Sequence, residues 1–272
     1  METTLPGTEA AARPLGDARL SACLIVMNEG DRIGDCLASL DFCDEIVVID
    51  SHSTDATREL AAAAGARVIE RDWAGHRAQK QFAVEQATHN WILALDADER
   101  LSSDLRMEIV ALRAMGFTGA DGWSMPRLSY HLGTWIRYGS WYPNRQLRLF
   151  DRRCGHWGGG DPHDRWKMQG SEGRLLGDLL HIPYRSFDEH LRTLTRYASI
   201  SAARMHEEGR RANVLDLLFR PPLRFVRGFV LKRGFLLGWR GLVLAWLDAH
   251  SVWLKYTHLM VLARVQDQVS RQ

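Results

Sequence analysis

Three acids crowd the end of one apolar run: Trp91-Ile92-Leu93-Ala94-Leu95 leads straight into Asp96-Ala97-Asp98-Glu99. Carboxylates clustered at a strand end repel one another unless a cation sits among them. In an open α/β sheet the carboxyl ends of the strands are where ligands bind. Two acids flanking one small residue can hold a divalent cation, and such a cation can carry a diphosphate. A second β-branched run, Glu45-Ile46-Val47-Val48-Ile49, also ends in an acid, Asp50. The simpler alternative is that these acids cap the following turns and helices. For Asp50 the two readings weigh the same; for Asp96 and Asp98 the crowding favours chemistry on a phosphorylated donor.

The elements that must position these acids alternate. Leu20–Met27, Glu45–Asp50, Ala66–Glu70 and Trp91–Leu95 read as strands. Between and after them, Arg32–Leu40, a helix capped by Thr54 or Asp55 and running to Ala64, His76–Thr88 and Asp104–Met115 read as helices, the last capped by Ser102 or Ser103. Repeated strand–helix units imply a mostly parallel sheet with right-handed crossovers. After Gly116 the pattern changes. Trp123–Leu128 and Gln146–Phe150 read as strands around an aromatic loop, Gly155–Gly160 reads as flexible, and His190–His206 has helical spacing.

Bulk properties set outer limits. A chain of 272 residues, 46% hydrophobic, can build one large core or one domain with an appendage. A net charge of only +2 gives no argument for nucleic acid. The four cysteines lack metal-type spacing; Cys23 and Cys43 read as small core residues, and the chain reads as reduced and cytosolic. Residues 1–18 read as a flexible tail without a secretory signal.

Cys23-Leu24-Ile25-Val26-Met27-Asn28-Glu29, Val47-Val48-Ile49-Asp50-Ser51-His52-Ser53-Thr54-Asp55 and Asp96-Ala97-Asp98-Glu99, in that order and spacing, resemble family 2 glycosyltransferases of the GT-A fold. Arg145–Phe150, Gly158–Asp164 and Leu180–Ser186 extend the resemblance to the bacterial WaaE/KdtX-like β-glucosyltransferases of the lipopolysaccharide core. The resemblance implies a Rossmann-like α/β sheet over 19–212, with 213–272 as a basic amphipathic helical extension. It implies inverting, metal-dependent transfer of a hexose from a nucleotide sugar, UDP-glucose first among donors, to a lipid-linked glycan.

The same resemblance implies roles. Asn28, Glu29 and the Asp50 carboxylate would hold base and ribose. Asp96 would face ribose or sugar, and Asp98, with Asp96 as second candidate, would bind Mg²⁺ or Mn²⁺. Lys80 would meet the diphosphate, or be a solvated helix lysine. An inverting transfer needs a carboxylate to take the acceptor proton. Where the subgroup commonly has valine–histidine–glutamate, this chain has Asp161-Pro162-His163-Asp164. The base is assigned to Asp164, one methylene shorter than glutamate, with Asp161 next and His163 as a hydrogen-bonding neighbour or metal ligand. Arg145 and Arg148 would serve phosphate or acceptor, or be solvated. His181, Tyr184 and Arg185 would bind acceptor or close the domain; Trp135, Trp141 and Tyr142 read more readily as packing than as sugar platforms.

From Arg220 to Arg264 eight basic residues face a single acid, Asp248, among many large apolar side chains. Arg240 and Asp248 interrupt the best apolar run, so a membrane span is not expected. A basic, aromatic, amphipathic segment fits the cytoplasmic face of the inner membrane; the competing reading is a packed helical subdomain or oligomer interface. Pro221-Pro222 reads as a hinge. Two other functions compete: a polyprenyl-phosphate sugar synthase, and a non-catalytic nucleotide-sugar-binding scaffold, against which the intact acids argue.

Overall fold

The computed structural model describes residues 18–159 and 164–269, with side chains to residue 265. The tail up to residue 17, Asp161 and His163 lie outside the described residues. The chain divides into two units, Met1–Met125 with Gln146–Leu179, and Pro126–Arg145 with Leu180–Gln272. The segment 180–212 groups with the helices that follow it.

The chain opens with β1 (Leu20–Val26), α1 (Ile33–Ala38), β2 (Glu45–Asp50), α2 (Thr57–Ala63), β3 (Arg67–Glu70), α3 (His76–Gln86), β4 (Trp91–Asp96), β5 (Glu99–Leu101) and α4 (Ser103–Ala114). There follow β6 (Gly122–His131), β7 (Thr134–Trp135), β8 (Asn144–Asp151), β9 (Gly155–Gly158), β10 (Arg165–Met168), β11 (Glu172–Arg174) and β12 (Leu179–His181). Three helices close the chain: α5 (Phe187–Glu207), α6 (Val214–Val226) and α7 (Trp239–Val269).

The strand order is β3-β2-β1-β4-β8-β6-β12-β5. The expected parallel block is present as β3-β2-β1-β4, and β8 then joins β4 antiparallel, so the sheet is mixed. Register does the positioning. Val26 pairs with Asp50 and Ile25 pairs with Asp96, so both acids leave the sheet at one edge beside the turn that follows β1. Alternation along β4 sends Leu93 and Leu95 into one core, with Leu20, Ile33, Leu105 and Ile109. Ile92 and Ala94 enter the other, with Val47, Ala83, Phe150 and Trp166. Two buried faces explain why these strands read as continuous apolar runs rather than alternating ones.

Three local expectations are corrected. The residue before α2 is Ala56, which makes no side-chain cap; Asp55 instead accepts from the backbone of Gly30 and Thr57, tying two loops together. Gly155–Gly158 is not a flexible stretch but strand β9, paired antiparallel with β10. Its glycines serve close packing: a Cβ on Gly155 would lie 2.5 Å from the Lys167 carbonyl and 2.7 Å from Trp166 Nε1. Pro221 and Pro222 form no hinge, since α6 runs through both. Asn213 and Asp216 start that helix with a reciprocal capping box, and it continues into a π-helical turn, Arg227–Leu231, which takes up the irregularity.

In the second unit α7 packs along α5 and α6, burying Ala202, Met205, Tyr256 and Leu259. The charges that interrupt its apolar run are used internally. Arg240 Nε donates to the Leu132 carbonyl at 2.8 Å, and Asp248 takes Trp141 Nε1 at 3.4 Å and Arg224 Nη2 at 3.2 Å. Among the described residues no helix is long and apolar enough to cross a membrane.

Candidate functional site

At the carboxyl edge of the parallel block, two turns are stitched together. Asn28 adopts φ 56°, in the left-handed region that asparagine tolerates better than most residues. Its backbone N–H donates to Ser53 Oγ at 2.9 Å, and its side-chain oxygen accepts from Thr54 N at 2.8 Å. The Glu29 N–H donates to Thr57 Oγ1 at 2.8 Å. Asp50 is fully buried: Oδ2 accepts from Ser53 N at 2.8 Å and Oδ1 from Ser53 Oγ at 2.5 Å. Both Asp50 oxygens thus shape the turn, and what the turn offers a ligand is the exposed Asn28 and the backbone beside it. Gln79, fully buried on α3, donates to Ser51 Oγ at 3.0 Å and fixes this turn from behind.

At the end of β4 the charges form a chain of ion pairs. Arg148 Nη2 on β8 reaches Asp96 Oδ2 at 2.5 Å and Glu99 Oε1 at 2.8 Å. Glu99, 1% exposed, also accepts from the Asp96 N–H at 3.2 Å, which closes the tight turn around Ala97. The other Asp96 oxygen meets Lys80 Nζ at 3.0 Å, and Lys80 in turn lies 3.1 Å from Asp164 Oδ2. The Lys80 ammonium also sits 5.0 Å from the centre of the Trp157 ring. Burial works against the Arg148 charge, but Asp96 and Glu99 outweigh it and hold the guanidinium charged. Burial first, and then Glu99, Asp98 and Asp96, push the Cys36 thiol well up. Burial also raises Cys23 and pushes Cys43 up to about 12, so these thiols are inert, as their apolar settings suggest.

Asp98 stands slightly apart. Its Oδ2 is 3.8 Å from Arg32 Nη1, and Arg32 is shared with Glu29 at 3.4 Å and Asp31 at 3.9 Å. Asp96 and Asp98 are 31% and 23% exposed in their side chains, whereas Arg148 is sunk at 5%. The two aspartates therefore present oxygen donors of the kind Mg²⁺ and Mn²⁺ take, each balanced at present by a side-chain cation. Among the described residues no group of three or more candidate ligands converges, so further ligands would come from a diphosphate or water.

Of the residues singled out from sequence, the structure brings together Lys80, Asp96, Arg148 and Asp164, and sets Asn28, Glu29, Asp50 and Asp98 around the same strand edge of the first unit. Neither Lys80 nor Arg148 is a solvated surface group. Arg148 is a buried partner of Asp96 rather than a cation facing outward. Arg145 lies on the same strand, three positions earlier. In the second unit His181 Nδ1 is 3.0 Å from Ser129 Oγ, Tyr184 stacks on His190, and Trp141 stacks on His131. Those groups pack against one another.

A family model described as glycosyl transferase family 2 matches residues 21–167, the segment that holds every member of this ion-pair chain. The lipopolysaccharide core biosynthesis glycosyltransferase LpsC of Rhizobium meliloti is 32% identical over 265 residues, spanning 92% of this chain and 97% of LpsC. The chain belongs to glycosyl transferase family 2. It is a glycosyltransferase, with the mixed α/β sheet of the GT-A fold, and the scaffold reading is set aside. An uncharacterised glycosyltransferase of Rickettsia prowazekii is 27% identical, over 92% of this chain and 87% of its own. Among solved structures, S. aureus TarS 1–349 superposes over 92% of this chain and 91% of its own, with TM-score 0.45 and 12% identity.

Sequence reasoning left three members of this candidate site without a role: Glu99, Arg32 and Gln79. Glu99 had a signal, since it is the third acid of the run and lies directly on β5. Arg32 and Gln79 had none; their partners are brought to them by the fold.

Proposed function

We propose that this glycosyltransferase moves a hexose, with inversion, from a nucleotide sugar such as UDP-glucose to a lipid-linked glycan of the lipopolysaccharide-core type. The observation that carries the proposal is Lys80 standing between Asp96 and Asp164 at 3.0 and 3.1 Å. One carboxylate belongs to the acid pair at the strand end and the other follows the glycine-rich segment, so one ammonium joins the donor side to the candidate base.

In this reading the turn at Asn28–Glu29 and the loop shaped by Asp50 cradle the nucleoside. Asp98 and Asp96 would hold a divalent cation, whose chemistry is to neutralise the diphosphate. Asp164 accepts the proton of the acceptor hydroxyl as that oxygen bonds to C1 of the sugar. The bond from C1 to the phosphate oxygen breaks, and its electron pair leaves with the nucleoside diphosphate. Lys80 stands where it can follow that charge. Arg148 and Glu99 keep Asp96 aimed. The near full-length likeness to LpsC supports a lipopolysaccharide acceptor, and the basic helical segment supports work at the cytoplasmic face of the inner membrane.

Two variants test the division of roles. Asp164→Asn should lower turnover by about 10²–10⁴-fold with donor affinity retained, the range for losing a positioned base. Asp98→Ala should instead abolish Mn²⁺-dependent binding of UDP in a thermal-shift titration. Unchanged turnover in the first variant, or unchanged Mn²⁺-dependent affinity in the second, refutes the corresponding assignment.

A further inference from the structure

The second unit carries a surface that the transfer chemistry does not use. Helices α6 and α7 leave between them a groove of about 830 Å³, lined by Leu218, Pro222, Phe225, Leu242, Trp246 and Trp253 among others. This is within the size range of small-molecule sites. His250, stacked on Trp253, is the one titratable lining group among the described residues. Outside the groove lining, Phe219, Leu223, Leu231, Leu236 and Trp239 of the same stretch of chain are each more than half exposed. Water-facing apolar area on this scale marks a contact surface rather than ordinary scatter.

Charge says what the contact is with. Between Val214 and Arg240 the chain holds Arg220, Arg224, Arg227, Lys232, Arg233 and Arg240 against a single acid, Asp216. Arg220 takes that acid, Nε to Oδ1 at 2.5 Å. Arg227, Lys232 and Arg233 are exposed beside the apolar surface. A second copy of the chain would bring the same basic surface against itself in a two-fold pairing. An anionic bilayer offers the complement to both properties: negative headgroups for the rim and hydrocarbon for the groove.

We propose that the α6–α7 groove receives the acyl chain of an anionic phospholipid and so seats the protein on a bilayer. This rests on the lipid-linked acceptor reading above and deepens it, and it can fail on its own. The test uses the full chain with phosphatidylglycerol vesicles carrying a photoactivatable acyl chain, and phosphatidylcholine vesicles for comparison. Co-sedimentation with phosphatidylglycerol should exceed that with phosphatidylcholine by at least tenfold and fall with added salt. Irradiation should place adducts on Phe225, Leu242 or Trp246. Leu242→Asp should lower partitioning at least tenfold while leaving transfer to a delipidated, water-soluble core oligosaccharide unchanged. Trp246→Phe, a milder change, should keep both. Binding with adducts confined to residues outside α6 and α7 overturns the groove while sparing the membrane reading. Absence of binding to either vesicle overturns both, and a concentration-dependent dimer that Leu242→Asp dissociates assigns the surface to a second copy. Loss of transfer to the soluble acceptor in the unaltered protein would count against the proposed reaction instead.

Discussion

Two clusters of positive charge, one in each unit, are handled in opposite ways. In the first unit, at the end of β4, the cations point inward: Arg148 is buried and clamped between Asp96 and Glu99, and Lys80 bridges Asp96 and Asp164. In the second, Arg227, Lys232 and Arg233 point outward beside bare apolar surface. A buried cation is tolerated only when its partners are close and complete, because its lost hydration is otherwise uncompensated. An exposed cation carries no such requirement and stays available for a partner outside the molecule. One residue type thus sets geometry in one place and faces solvent in the other.

Removing the buried cation should have the largest effect. Arg148→Met keeps much of the side-chain volume and takes from buried Glu99 the cation it shares with Asp96, which keeps Lys80. We expect a loss of about 3–5 kcal/mol, the usual result of breaking one side of a buried pair. Adding Glu99→Gln should recover part of it, because the orphaned charge is then gone. Arg227→Met, at the surface of the second unit, should shift stability by no more than about 0.5 kcal/mol. Urea unfolding of the three variants measures this. Equal losses from Arg148→Met and Arg227→Met would erase the contrast.

The legibility of the molecule follows the same divide. The parallel strands and their acidic ends were readable because burial on two faces leaves continuous apolar runs, and Asp50 and Asp96 interrupt them abruptly. That Arg148 would turn inward was not readable: Gln146-Leu147-Arg148-Leu149-Phe150 looks alike whether its arginine meets water or Glu99 across the sheet. Gly155–Gly158 misled for a related reason. Glycine is used for flexibility and for close approach alike, and only the indole of Trp166 shows which applies. Pro221-Pro222 misled because local preference predicts a break, whereas packing of α6 on α7 keeps the helix whole. Asp164 was identifiable as a candidate base, but its link to Lys80 joins residues far apart in the chain and is a product of the fold.

The second unit has its own precision, in backbone contact rather than charge. A Cβ on Gly241, near the start of α7, would lie 1.8 Å from the Gly234 carbonyl oxygen. Gly241→Ala must therefore displace the turn at Gly234, and a cost of about 3 kcal/mol, the upper part of the overpacking range, is expected. Gly34 in α1 differs: an added methyl group would meet nothing within 4 Å, and the backbone there is not left-handed. Gly34→Ala should stabilise by about 0.5–1 kcal/mol, since alanine is the better helix former. Thermal unfolding of the pair reads opposite signs, and a stabilising Gly241→Ala would refute the close contact.

A further effect concerns titration. The charges at the end of β4 are paired, while the second unit buries two imidazoles together: His131 Nε2 lies 3.0 Å from His190 Nδ1, with Tyr184 stacked on His190. Burial, and then the neighbouring His131, lower the His190 pKa to about 4; burial lowers His131 also, and raises the Tyr184 hydroxyl to about 12. Two uncharged rings can share one proton in a hydrogen bond, and protonating both would set like charges side by side. The unfolded chain binds a proton at this histidine near pH 6.5, well before the folded chain does. The contribution is therefore intact above pH 6.5 and is lost as the pH falls toward 4, where the unfolded state holds the extra proton. A loss on the order of 1–2 kcal/mol across that window is expected for the wild type relative to His190→Phe, which has nothing to protonate there. Urea midpoints at pH 7, 6, 5 and 4 for both proteins measure the difference. A gap between the two curves that stays constant from pH 7 to 4 would mean that the histidine pair is not held neutral by its surroundings.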